Sequence, residues 1–380
     1  MIGTDRLNDE SYMRLALQMA TQARGQTGIN PVVGCVIVKE GRIVGIGTHL
    51  QRGSHHAEIH ALHMAGDEAA GSTVYVTLEP CSIHGRTPPC AERLVTERVK
   101  RVVVGCIDPN PGVAGAGVEW LRSRGIDVEV GVLEEDARLL NEAFNKFIVT
   151  RLPWVTLKTA MTLDGKIGSR TGDSKWISSE ASRELVHTMR HRHQAILVGV
   201  DTVIADDPQL TTRLTVPGLQ PIRLVVDSQL RIPLEAHVVR ERDARTIILT
   251  TQSASMEQIM RLNAVGVEVM KCGDGDKVDL RQAMAMLGQR EIGSVLLEGG
   301  GRLNGAMLEA ELVDKLVVFV APKLIGGGAT APSAFAFAGF DKMADALAIE
   351  RLRVEQIGAD CCLTGYPHYM RREAACSPGS

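Results

Sequence analysis

HHAEIHAL at residues 55–62 and EPCSIHGRTPPC at 79–90 bring a His-x-Glu and two proline-flanked cysteines close together in a chain of 380 residues that has 8 cysteines. His56 precedes the apolar-periodic run AEIHALHMA and Cys90 follows Pro88 and Pro89, so both stand where a helix begins, while Cys81 closes the strand-like STVYVTLEP. A helix N-terminus carries partial positive charge, which favours thiolate over thiol. Zinc takes four protein ligands in a structural site and three where it activates water. His56, Cys81 and Cys90 supply three, which leaves Glu58 as a proton carrier rather than a ligand. His55, His60 and His63 compete with His56, but in this motif His56 is the one two residues before a glutamate. Taken singly, Cys81 reads equally as a buried thiol and Glu58 as a solvated helix residue. Taken together they read as a zinc site.

The same arrangement, His-x-Glu followed by Pro-Cys and a second Cys, is the signature of zinc-dependent deaminases, in which the glutamate is acid and base. Zinc lowers the pKa of a bound water from about 15.7 to about 7, which prepares it to attack an amidine-like ring carbon. The usual form spaces the cysteines as Cys-x-x-Cys. Here eight residues intervene.

Outward from this pair the sequence alternates. Residues 10–24 place Met13, Ala16, Leu17 and Ala20 at helical spacing, and 32–48 reads as two strands around a Glu-Gly turn. A helix to about Ala65, the strand ending at Cys81, a helix from Cys90, the strand RVVVGC, a helix near Gly115–Arg124, the strand DVEVG and one amphipathic helix from Glu134 to about Val149 complete an α/β pattern. At TRLPWVTLK, with Pro153 as punctuation, the alternation restarts, with strands expected at 154–160, 195–199, 222–227, 246–251, 294–298 and 314–321 and helices at 179–192 and 278–289. Two α/β domains are therefore expected, 1–150 and 151–370, with 371–380 as a frayed tail.

Composition narrows the function. Apolar residues make up 44% and charged residues 23%, an ordinary globular balance. The chain up to residue 150 holds 15 Lys and Arg against 18 Asp and Glu, and the rest 27 against 27. Neither part has the basic excess that binding a phosphate backbone requires, so no nucleic-acid partner is expected. No apolar run approaches the roughly 18 residues of a membrane span, and MIGTDRLNDESYM has no leader-like apolar core, so no membrane partner and a cytoplasmic location with reduced cysteines are expected.

The second domain has no G-x-G-x-x-G. Instead SVLLEGGGRLNGAML sets Gly299, Gly300 and Gly301 between a strand and a helix start, where bare amides and the helix dipole can hold a pyrophosphate. VVDSQLRIP ends a strand at Ser228 with Arg231 following, a hydroxyl and a guanidinium suited to a 2′-phosphate; Asp227 is the acid that would instead favour a free ribose.

With KTAMTLDGKI, SKWISS, ILVGVDTVIADDPQLTTR and LLEGGGRLNGAML following HAEIHAL, YVTLEPCSIHGRTPPC and DPNPGVAGAG in order, the chain resembles the bifunctional riboflavin-biosynthesis deaminase/reductases over about residues 10–368. The resemblance implies a cytidine-deaminase-like N-terminal domain that hydrolyses the 2-amino group of 2,5-diamino-6-ribosylamino-4(3H)-pyrimidinone 5′-phosphate. It also implies a dihydrofolate-reductase-like C-terminal domain that reduces the ribosyl side chain to ribityl with NADPH, in a homo-oligomer, dimer or tetramer. By motif, the pyrimidine phosphate would meet Asn30, His49, Arg86, Asp108 and Asn110 in the first site. In the second, Ala160, Trp176, Ser178, Thr202, Asp206, Ser228 and Gly300 resemble NADPH contacts, and Ser174, Arg190, Leu210, Arg213 and Glu298 resemble substrate contacts. Lys158 and Asp206 are the candidates for polarising or protonating the C1′ nitrogen during hydride delivery. Where the family typically has PCSH this chain has PCSI, so Ile83 replaces an imidazole of the pyrimidine site, with His84 beside it.

Simpler readings stand beside these. Asn30 and the DPNP residues suit turns, Lys158 and Asp206 suit salt bridges, and Trp176 suits a core. Two other functions compete: a nucleic-acid-editing deaminase, which predicts a basic groove and leaves the second domain unexplained, and a structural zinc module, which requires a fourth ligand such as Cys106 or His84.

Overall fold

Both α/β patterns form closed layers in the structure, a computed structural model that describes residues 7–83 and 89–369. His84, Arg86 and the expected tail at 371–380 lie outside the described residues. The chain divides into two compact units, one formed up to Pro153 together with Gly288–Gly293 and the other by the remainder.

In the first unit α1 (Asp9–Gln22) starts at Asn8, whose side chain accepts the Ser11 amide while Ser11 Oγ accepts the Asn8 amide, a reciprocal cap. Then come β1 (Gly34–Lys39), β2 (Arg42–Thr48), α2 (Ala57–Ala65), β3 (Thr73–Leu78), α3 (Cys90–Thr96), β4 (Arg101–Cys106), α4 (Ala116–Ser123), β5 (Asp127–Val130), α5 (Glu134–Leu140) and α6 (Glu142–Thr150). The β1–β2 turn at Glu40 and Gly41 has φ of 48° and 76°, as a two-residue hairpin requires. The sheet runs β2-β1-β3-β4-β5, with β1 antiparallel to β2 and β3 and the last three strands parallel. Val36, Ile37, Val74, Val76, Val102 and Val104 are fully buried at its centre. α2 lies directly on β2: a Cβ on Gly45 would fall 2.2 Å from the Ala61 carbonyl oxygen, and one on Gly47 2.1 Å from that of Ala57. Those two glycines set how closely the helix that carries Glu58 approaches the sheet.

The helix expected from Glu134 to Val149 is two helices that break at Asn141. The Asn141 side chain is buried, accepts the Val32 amide at 2.8 Å and donates to the Val32 carbonyl at 2.9 Å. A side chain that completes its hydrogen bonds with a distant strand entry competes with helix continuation.

The second unit runs β6 (Trp154–Thr162), α7 (Glu180–Arg192), β7 (Ala195–Gly199), α8 (Val200–Asp206), β8 (Ile222–Val226), α9 (His237–Arg240), β9 (Thr246–Thr250), α10 (Met256–Ala264), β10 (Glu268–Lys271), α11 (Leu280–Gln289), β11 (Ser294–Leu297), α12 (Gly301–Glu309), β12 (Lys315–Ala321), β13 (Ala348–Ile357) and β14 (Asp360–His368). Its sheet has the order β10-β9-β8-β7-β11-β6-β12-β14-β13, parallel from β10 to β12, with β14 antiparallel to β12 and β13 antiparallel to β14. The six expected strands are present. The sequence reading missed β10, β13 and β14. β13 is exposed along most of its length and shows no alternation, and β14 contains a glycine and a proline. Among the described residues, no helix is long and apolar enough to cross a membrane.

Candidate active sites

β3 delivers Cys81 three residues past its end, His56 is the N-cap of α2, and Cys90 is the first residue of α3. Their ligand atoms all lie within 4.8 Å of one another. His56 Nδ1 is 3.2 Å from Cys90 Sγ and 3.6 Å from Cys81 Sγ, and the Cys90 amide donates to Cys81 Sγ at 3.3 Å. The Cys90 hydrogen bond draws the Cys81 thiol down, and Cys90 is pushed up in turn. Glu58, in the first turn of α2, is 3% exposed. Burial, then the Cys81 charge, push its carboxyl up to about 7.

One imidazole and two thiols at this spacing fit zinc, and among the described residues no fourth His, Cys, Asp or Glu joins the group. The Cys106 thiol is buried and donates to the Thr77 carbonyl at 3.6 Å. His55 packs edge-on against His60 and His63, with ring centroids 5.8 and 5.5 Å apart.

Around the metal set, His49 is buried, its ring edge-on to His56 with centroids 5.4 Å apart. Its Nδ1 faces the His55 carbonyl at 3.2 Å and its Nε2 has no partner among the described residues, an orphan that a ligand would satisfy. The Asn30 carbonyl accepts the Thr27 hydroxyl. Asp108 and Asn110 do form turns: Asp108 Oδ1 accepts the Asn110 amide at 2.8 Å and Asn110 Oδ1 accepts that of Gly112 at 3.1 Å. Each keeps a second polar atom for a ligand, so the turn reading and the binding reading coexist. Ile83 is 50% exposed, and its Cδ1 lies 3.6 Å from where a Cβ on Gly112 would be, so it faces this turn.

In the second unit Glu298, just past β11, takes a two-pronged grip from Arg190, Nε to Oε1 at 2.7 Å and Nη2 to Oε2 at 3.0 Å, with Lys158 Nζ 3.9 Å from Oε2. Burial would raise the Glu298 carboxyl, but Arg190 and then Lys158 overcome it and hold it down at about 2. Burial also lowers Lys158, against the pull of Glu298. The third prong of Arg190 donates to the Thr211 carbonyl at 3.0 Å. Arg190 is thus held in place by Glu298 and Thr211, with one N–H of each terminal nitrogen beyond these bonds. Arg213 is exposed and held by Gln209 at 2.8 Å. Its amide donates to His187 Nδ1 at 3.2 Å, and burial, then Arg190 and Arg213, bring His187 down to about 4.

Leu210 can meet a ligand only through its backbone. Its side chain is buried in the core with Val203 and Leu230. Asp206 Oδ1 accepts the Ser174 hydroxyl at 3.4 Å.

For a dinucleotide, Gly300 is the N-cap of α12, and the Thr202 hydroxyl is 3.9 Å from where its Cβ would be, which brings two expected contacts together. A Cβ on Gly301 would fall 2.2 Å from the Ser333 carbonyl. Bare amides at a helix start, with no room for side chains, fit a pyrophosphate. Trp176 is exposed, with the Arg183 guanidinium 4.7 Å above its ring, so it is not a core residue; the Ser178 carbonyl accepts Arg183 at 2.7 Å. Ala160 pairs with Phe319 across β6 and β12. Ser228 Oγ accepts the Val278 amide, Asp227 is buried and accepts the Ile232 amide, and Arg231 pairs with Asp201 at the surface. The acid that would favour a free ribose is thus turned to structural use.

Sequence reasoning missed Glu79, a buried acid two residues before Cys81, and Lys323, which donates to the Trp176 and Ile177 carbonyls at 2.7 and 2.9 Å. A charge closing the apolar run TVYVTL was the available signal for the first. For Lys323 there was none.

Residues 6–106 match the family model of the cytidine and deoxycytidylate deaminase zinc-binding region, and residues 153–363 that of the RibD C-terminal domain. The riboflavin biosynthesis protein RibD of Aquifex aeolicus is 43% identical over 352 residues, covering 93% of this chain and 96% of that protein. Among solved structures, Acinetobacter baumannii RibD superposes with a TM-score of 0.84 at 39% identity, covering 95% of this chain and 99% of that one. A diaminohydroxyphosphoribosylaminopyrimidine deaminase/5-amino-6-(5-phosphoribosylamino)uracil reductase from Thermotoga maritima gives 0.83 at 36% identity, with the same coverage.

Proposed function

We infer the division of labour below from one premise, that the chain belongs to the RibD family of bifunctional riboflavin-biosynthesis deaminase/reductases. Members of this family use zinc in one domain and NADPH in the other. In our reading, residues 1–150 exchange the 2-amino group of 2,5-diamino-6-ribosylamino-4(3H)-pyrimidinone 5′-phosphate for oxygen, water entering and ammonia leaving. Residues 151–370 then reduce the ribosyl side chain to ribityl.

The observation that carries the first half is the His56, Cys81 and Cys90 group with Glu58 buried beside it. Zinc held there supplies a water of lowered pKa. Glu58 takes the proton of the attacking water and passes it to the departing amine, a task suited to a carboxyl with a pKa near neutrality. His49 Nε2, Asn30, Asp108 and Asn110 orient the pyrimidine, and Arg86 is assigned to the phosphate. Among the described residues three protein ligands rather than four come together, which speaks against a purely structural zinc module. The lack of basic excess speaks against nucleic-acid editing.

NADPH held in the second half would supply hydride to C1′, and the attached nitrogen would gain a proton. Lys158 is our candidate donor, since burial that lowers an ammonium makes it a better acid. Asp206 with Ser174 is the second candidate, and Arg213 is assigned to the ribose phosphate. Ala160, Trp176, Ser178, Thr202, Ser228 and Gly300 would line the NADPH cleft.

A homo-oligomer and a cytoplasmic location belong to the same reading. Leu352 and Val354 on the edge strand β13 are 57% and 60% exposed, apolar surface of the sort a second copy covers. The test is to incubate the chain with the diaminopyrimidinone phosphate, with and without NADPH, and read products by mass. Exchange of the amine for oxygen without NADPH, and gain of two hydrogens with it, is the expected result. Reduction without deamination would remove the first assignment.

A further inference from the structure

Glu79 takes no part in the chemistry above, yet it is 4% exposed. A buried carboxylate is tolerated only where its oxygens are fully hydrogen-bonded. Four backbone amides do this for Glu79. Oε2 accepts from Asp108 at 3.2 Å and Gly115 at 2.9 Å, and Oε1 from Gly117 at 2.8 Å and Val118 at 3.3 Å.

All four amides belong to one stretch, Asp108 and Gly115 in the loop from β4 and Gly117 and Val118 in the first turn of α4. That stretch is seated on the Glu79–Pro80 backbone without space for a side chain, since a Cβ on Gly117 would lie 2.1 Å from the Pro80 carbonyl oxygen. Asp108 and Asn110 stand on it, and Cys81 is two residues beyond Glu79 on the β3 side. The Glu79 carboxylate is therefore a rivet between the segment that supplies a metal ligand and the loop assigned to the pyrimidine.

We propose that Glu79 is a positioning residue of the deaminase site, fixing Asp108 and Asn110 at a set distance from Cys81 so that the pyrimidine ring is presented to the metal. The proposal rests on the assignment of Asp108 and Asn110 to the substrate.

Glu79→Gln is nearly isosteric but points an amide NH2 at two of the four donors. Zinc content should stay as in the parent chain and the reductase should be unchanged. Deaminase KM should rise about ten-fold with a smaller change in kcat. Hydrogen exchange at the Gly115, Gly117 and Val118 amides should accelerate. Glu79→Asp, which keeps the charge and shortens its reach, covers the case in which the glutamine variant does not fold, and should raise KM less. Asn110→Ala is measured in parallel. KM within about two-fold of the parent in Glu79→Gln, with Asn110→Ala raising it, overturns the role of Glu79 alone. No rise in either variant overturns the substrate assignment together with the proposal. Loss of zinc in both Glu79 variants with an intact reductase makes Glu79 part of the metal fold, and overturns it too.

Discussion

Each half of the molecule buries a glutamate at its site, and the two surroundings act on it in opposite directions. Glu58 sits among thiols and imidazole, and burial and then the Cys81 charge raise its carboxyl to about 7. Glu298 is buried between Arg190 and Lys158, and its carboxyl is held at about 2. The difference separates roles: a carboxyl poised near neutrality can move a proton, whereas one clamped between cations is a permanent charge that orients them.

Substitutions to glutamine test this contrast. Glu58→Gln should lower deamination by about 10²–10⁴-fold while zinc content and reductase activity stay as in the parent chain, because the amide fits the space but carries no proton. Near-parental deamination in a zinc-loaded variant would break the contrast at its first term. Glu298→Gln should instead destabilise the second unit by roughly 3–5 kcal/mol, since it leaves buried Arg190 and Lys158 uncompensated. Denaturant melts followed by reductase and deaminase activity separately will show whether the loss is confined to that half.

Two smaller effects sharpen the comparison. Arg213→Ala should raise reductase KM by the loss of a charge-assisted contact of about 1.5–3 kcal/mol, with little change in melting temperature because the side chain is exposed. An unchanged KM would return Arg213 to a surface charge. Ile83→His should improve deaminase kcat/KM by about ten-fold, or about 1.4 kcal/mol, if one hydrogen bond to the pyrimidine is restored. A fall in kcat/KM with zinc retained would mean that the turn at Gly112 has been rebuilt around the apolar contact.

The gathering of His56, Cys81 and Cys90 was legible in the sequence because metal chemistry fixes residue type and order, and the burial of Glu58 beside them because it rides two positions from His56. The strands were readable where burial on both faces leaves continuous apolar runs, as in RVVVGC. What escaped depends on partners brought from afar. Asn141 ends a helix because of Val32, Arg190 is engaged by Glu298 across more than a hundred residues of chain, and Glu79 is buried because a later stretch returns four amides to it. Leu210 matches a substrate-contact motif, yet the core took its side chain.

The position of β11 bears on how the chain is made. Residues 294–297 pair with β6 on one side and β7 on the other, so the strand fills a gap between elements that were translated long before it. The first unit's sheet is complete in sequence once β5 has emerged. In the second, β6 and β7 wait with open edges while the chain from Gly199 to Ser294 is synthesised, roughly 5–20 s at about 5–20 residues per second. Unpaired edges are where nascent chains stick to one another. The first sheet thus has all its strands well before the second, which closes only once β11 has emerged.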